Sequence, residues 1–279
     1  MDQSPREAMM GTTPAERHER GGRLVRIVRS PLGWMLTGLV GIAAVSAVTG
    51  ALPLLGAVAA VGVYWAVMRY VAKRPTPELA RRGAAREVLV GGGIGLGFVF
   101  LSTLLITAFG GYSFSWAGNS FFPVVIAAAA TMAATAITEE LMFRGLALQA
   151  LERLAGSRIA LTLTAVFFGF AHLANPGASL WSSVAIAIEA GVLLGAAFLW
   201  RRSIWFVVGL HFTWNTTVQL LGIPVSGHAA EGSLLTAHVT GPALLTGGSF
   251  GLEASIITVM VGLALAVPML VFARRREAV

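Results

Sequence analysis

The sequence predicts an all-α polytopic membrane protein with about eight transmembrane helices and both termini in the cytoplasm. Three observations carry this prediction. Of the 279 residues, 56% are hydrophobic and only 12% charged, whereas a soluble domain carries roughly 25% charged residues. The mean hydropathy is +0.77, so a soluble enzyme is excluded. Finally, the apolar residues fall in long uncharged runs, and the basic residues, nineteen of twenty being Arg, fall in clusters between them.

A transmembrane helix needs about 20 mostly apolar residues. Residues 30–68 hold no charged residue or His and divide into two spans near Thr49-Gly50-Ala51-Leu52-Pro53. Residues 88–138 are uncharged as well and fit two spans around a loop at 110–120, where Tyr112, Trp116, Phe121 and Phe122 serve as interfacial anchors. Further spans fit 159–174, 181–200, 203–222 and 254–273. The basic clusters at 6–29, 69–86, 144–158, 201–202 and 274–276 then all lie on one side. The loops near 50, 110–120, 175–180 and 223–253 hold no Lys or Arg. The positive-inside rule makes the basic side cytoplasmic.

The domain plan is a basic cytoplasmic tail at 1–29, an eight-helix membrane domain at 30–273 with its motif-bearing part at 121–222, and a second basic tail at 274–279. The first tail lacks the short apolar core of a signal peptide. It reads as an orienting segment, with the lipid bilayer and no nucleic acid as partner. The chain has no Cys, which removes disulfides, thiol nucleophiles and Cys-based metal sites.

Ionisable groups inside spans are expensive and mark function. Helix 4 carries Glu139, Glu140 and Arg144, helix 5 His172, helix 6 Glu189, and helix 7 His211 and Asn215. Residues four apart share a helix face, so Glu140 can pair with Arg144, and His211 and Asn215 project together. Glu139 and His172 are equidistant from a turn at Leu154-Ala155-Gly156-Ser157, which sets them at one height in an antiparallel hairpin. His211 and Glu189 fall about 14 and 17 Å into their helices. Glu189 matches no motif, so a supporting or structural role stands beside a catalytic one.

A carboxylate beside a neutral His can take a proton from water, and a second His with an Asn suits an oxyanion hole. These parts fit hydrolysis of a peptide bond. The only Asp is Asp2, which excludes an aspartyl intramembrane protease, and no HExxH occurs. The GGSFG run around Ser249 formally fits a nucleophile pattern, but it lies in a Gly-rich outside loop and reads as loop. His228 and His238 belong to the same outside segment, read as surface loop.

EELMFRG at 139–145, FGFAH at 168–172 and HFTWN at 211–215 resemble the three successive motifs of the CPBP or Abi family, the type II CAAX prenyl endopeptidases. GLEAS at 251–255 also looks like bacterial members, and the Arg-rich usage fits a bacterial genome. The resemblance implies an intramembrane endopeptidase of the inner (plasma) membrane, cutting a membrane-associated protein or peptide in a cavity open to the cytoplasm. It implies that Glu139 and His172 activate water, that Glu140 shapes the site with Arg144, that Phe168 supports His172, and that His211 and Asn215 form the oxyanion hole. The family has been described both as glutamate-dependent and as metal-dependent. Asn215 is a poor metal ligand, which favours no cofactor, while zinc held by Glu139, His172 and His211 stays open. A non-catalytic binding or bacteriocin-immunity protein, or a small transporter, is the alternative from another class.

Overall fold

The structure, a computed structural model, describes residues 25–277, so most of the basic tail expected over 1–29 lies outside the described residues. Helix α1 is Pro31–Val48, and α2 is Pro53–Ala66 with a π-helical end Val67–Val71. Both begin on a proline, whose fixed φ and missing N–H suit the first helical turn. Helix α3 is Ala84–Ala108. Helix α4 begins as Phe121–Glu140, passes through a π-helical stretch Leu141–Leu148 and enters the helical segment Gln149–Ala171. Gly156 interrupts that segment at φ 79° and ψ 165°. The whole run from Phe121 to Ala174 is 54 residues, about 80 Å as one rod against a hydrocarbon core of about 30 Å. The chain therefore turns back at Gly156, where the sequence places the turn, and separates α4 (121–155) from α5 (157–171).

Helix α6 runs from Leu180–Ile186 through a π-helical stretch Ala187–Val192 into Leu193–Arg201. Its start is fixed by a capping box between Ser179 and Ser182. Helix α7 is Ile204–Leu220, N-capped by Ser203, and α8 is Ile256–Glu277. Among the described residues, six helical segments are long and apolar enough to cross a membrane, the 54-residue run counted once. Dividing that run at Gly156 and adding the 17-residue α7 yields the eight expected. The fold is that of an all-α polytopic membrane protein.

Side-chain contacts define two opposite faces. On one, Arg74 pairs with Glu78 at 2.8 Å and donates to Gln149, while Arg201 pairs with Glu87. There too, Arg202 pairs with Glu152 at 2.6 Å, and Arg276 donates to the Trp200 carbonyl. The Arg-bearing loops thus gather at one end of the bundle. At the other end, β1 (Tyr112–Trp116) and β2 (Leu235–Val239) form an antiparallel ribbon, Tyr112 opposite Val239. Asn175 reaches the Ser226 carbonyl at 2.9 Å across the same end.

The ribbon corrects the reading of 110–120 and 223–253 as plain loops: the backbone groups of each segment find partners in the other. Tyr112 is correspondingly not an interfacial anchor. It is buried, with its hydroxyl donating to the Thr246 carbonyl. Trp116, Phe121 and Phe122 are exposed, as expected of anchors.

Helices α3 and α7 approach backbone to backbone. A Cβ on Gly91 would stand 2.1 Å from the Phe206 carbonyl oxygen, and one on Gly95 would stand 2.3 Å from that of Leu210. Small residues four apart let transmembrane helices pack this closely. Leu210 precedes His211, so this contact sets the position of the polar face of α7. Gly95→Leu is expected to destabilise the detergent-solubilised protein by about 1–3 kcal/mol through overpacking. Gly97→Leu, where no atom lies within 4 Å of the added Cβ, is the control and should unfold with the wild type in thermal denaturation.

Candidate active site

The site begins where α4 changes from α- to π-helical, a rare geometry often found at functional positions. Glu140 is fully buried there. Its Oε1 accepts from Arg144 Nη1 at 2.9 Å and from His211 Nδ1 at 2.8 Å. Arg144 Nη2 donates to the carbonyls of Ala190 and Gly191, at 3.0 and 3.3 Å, in the π-helical turn of α6. The guanidinium also lies over the Phe168 ring at 5.1 Å and the Phe143 ring at 5.9 Å. One carboxylate and one guanidinium thereby join α4, α6 and α7 and place α5 against them. A buried charge is tolerated only when paired and hydrogen-bonded in this way.

Glu139, a third of a turn away, does something different. Its side chain is 27% exposed and lines a cavity of about 750 Å³. Glu139 Oε2 stands 4.0 Å from His211 Nε2. His211 therefore has one ring nitrogen on each of the adjacent glutamates. Asn215, one turn further along α7, lines the same cavity, and so does His172 at the end of α5. The His172 Nδ1 lies 2.7 Å from the Phe168 carbonyl oxygen. A carbonyl only accepts, so Nδ1 carries the proton and Nε2 is left as an acceptor. The Phe168 ring packs on the His172 ring at 4.5 Å.

Glu139, His172, His211 and Asn215 thus meet in one cavity, with Glu140, Arg144 and Phe168 behind them. Glu189 does not join. It is fully buried in the π-helical turn of α6 beside Gly262, outside the cavity wall, with no hydrogen-bond partner on either oxygen. Nor do Glu139, His172 and His211 converge as zinc ligands. Among the described residues no three His, Asp or Glu side chains are placed to hold a metal ion, and His211 Nδ1 is already committed to Glu140.

Two residues of the cavity wall, Glu231 and Glu253, escape the search for charges within spans. Glu253 lies just before α8, almost fully buried, and accepts from the Ser226 N–H at 2.8 Å. Its segment folds inward with Val225, Phe250 and Leu252, all buried. Gly227, at φ 87°, holds the loop so close to the preceding turn that a Cβ would stand 1.9 Å from the Pro176 carbonyl oxygen. The only pointer to Glu253 in the sequence was the GLEAS resemblance. Ser249 sits in a short turn, Gly248–Phe250, outside this cavity.

Burial pushes the Glu253 carboxyl up from 4.5 to about 7, against the opposing hydrogen bonds from Ser226. Because the folded value is raised, the neutral acid contributes stability that is fully present below about pH 4.5 and is lost as pH rises through about 7. Thermal denaturation between pH 5 and 8 is expected to show this decline in the wild type and a flatter profile in Glu253→Gln.

The cavity also separates two expectations. Its wall rises along α4 from Phe143 towards the helix start, through Glu139, Thr135 and Thr131 to Ala127. It is completed by Asn175 and by residues 225–231 and 253. These belong to the Arg-free face. A cavity open to the cytoplasm and a cytoplasmic arginine face are exclusive expectations, because this wall stands at the end opposite the arginine contacts.

Residues 121–217 match the model of a family described as type II CAAX prenyl endopeptidase Rce1-like. No curated protein matches the chain, and no solved structure does. The matched segment runs from the start of α4 to near the end of α7 and contains the Glu139–Arg144, Phe168–His172 and His211–Asn215 motifs. The match covers about a third of the chain, and over that segment the chain is similar to the type II CAAX prenyl endopeptidases.

Proposed function

We propose that the chain is an intramembrane endopeptidase in which Glu139 activates water. The observation that carries this reading is the division between the two glutamates. Glu140 is buried in an ion pair, while Glu139 faces the cavity beside a histidine held from behind. Glu139 takes a proton from a water whose oxygen attacks the peptide carbonyl. The C–O bond forms, and the carbonyl electrons move to oxygen. Asn215 and the cavity-facing Nε2 of His211, as imidazolium, supply hydrogen bonds to that oxyanion. Glu139 then returns the proton to the amide nitrogen as the C–N bond breaks. His172 Nε2, an acceptor, helps hold the water.

The test compares new protein termini in membranes of cells making the wild type and cells making Glu139→Gln at matched levels. Termini that appear only with the wild type are expected, and they name the substrates. Their absence under several growth conditions would favour a binding or immunity protein. The same cleavages should persist with a metal chelator, and their loss would support zinc.

A further inference from the structure

We propose that the site draws its substrate from the non-cytoplasmic side of the membrane, as a membrane-anchored chain with its scissile segment exposed there. The word substrate rests on the peptidase reading, while the orientation does not. Two independent features carry it. All the Lys and Arg of the described residues lie at one end of the bundle or, for Arg144, in the buried pair. That end is joined by the Arg74, Arg201, Arg202 and Arg276 contacts. A bias this complete orients a multi-pass protein with that end in the cytoplasm. The cavity, in contrast, is closed below Glu139 by Met142, Phe143 and Phe168, and above it is walled by Asn175 and 225–231. Its wall residues His228, Ala229 and Glu231 are exposed and lie at the opposite end.

Two details fit a membrane-anchored chain. A second recess of about 300 Å³ reaches Glu139 from the other side, lined by Ser46, Thr49, Pro53 and Thr138. It lies between the α1–α2 turn and α4, towards the same Arg-free face. Glu139 therefore borders two spaces, one under the loops and one between helices. In addition, no Lys or Arg lines either space, while Glu139, Glu231 and Glu253 line the larger. The wall offers no Lys or Arg to a terminal carboxylate. An internal segment of a chain fits better than the last residues of a cytoplasmic prenylated tail.

The absence of native cysteine makes single-cysteine labelling decisive. Ala229→Cys stands on the exposed loop of the cavity wall, Thr131→Cys on its α4 side, and Ala155→Cys at the α4–α5 turn on the arginine face. Full-length variants are produced in a bacterial host, and spheroplasts are treated with a membrane-impermeant maleimide before and after permeabilisation. Ala229→Cys and Thr131→Cys should label fully in intact spheroplasts, and Ala155→Cys only after permeabilisation. The reversed pattern, or labelling of both faces in intact spheroplasts, overturns the orientation. Labelling of Ala229→Cys with Thr131→Cys silent overturns access from that face. None of these readouts requires cleavage, so a wrong orientation is distinguishable from a wrong activity, which the Glu139→Gln comparison reports.

Discussion

Glu139→Gln is expected to lower the rate of peptide cleavage by about 10²–10⁴-fold, the usual worth of a positioned general base, and to leave the fold intact. The amide keeps the size and shape of the carboxylate but cannot take a proton from water. Stability should hardly change, because Glu139 is partly solvated and its nearest charged partner is His211 at 4.0 Å. Glu140→Gln provides the contrast. It removes the carboxylate that both Arg144 and His211 Nδ1 contact, so activity and thermal stability should fall together. Cleavage in purified membranes and unfolding in detergent, measured on the same preparations, separate the two effects. Full activity in Glu139→Gln would remove this residue from the chemistry and the glutamate reading with it.

The second large effect concerns stability. Arg144→Met leaves Glu140 fully buried without its guanidinium, and breaking a buried pair from one side costs about 3–5 kcal/mol. It also vacates the contacts to the Ala190 and Gly191 carbonyls and to the Phe168 ring. The double change Glu140→Leu/Arg144→Met removes both charges. It should be considerably less destabilised than the sum of the single changes, with non-additivity as the measured quantity. Activity should not return in the double variant, since His211 has lost the carboxylate that orients it. A single-variant cost below about 1 kcal/mol, the range of solvent-exposed pairs, would mean that water reaches the pair.

Much of this was legible in the chain because a bilayer imposes simple rules. Span lengths, the turn at Gly156 and the one-sided Arg clusters follow from hydrocarbon thickness and charge. The 1.5 Å rise per residue was enough to place Glu139 and His172 at one level, and the structure puts both in one cavity. The i, i+4 spacing likewise anticipated the Glu140–Arg144 pair.

Other features depend on how helices rotate and approach, which spacing within one helix does not encode. Glu189 has the right depth and points elsewhere. Glu253 has the wrong depth by sequence and reaches the cavity because its loop folds inward over the helix ends. The α3–α7 contact depends on glycines of one helix meeting the backbone of another. Its small-residue spacing was visible, but its partner was not. The sequence by itself determined the membrane class, the eight spans, the charged face and the residues of the polar layer, since each follows from local composition and period. Only the tertiary structure decided which glutamate is buried, which faces the cavity, and which loops complete its wall. Those are properties of surfaces brought together from distant parts of the chain.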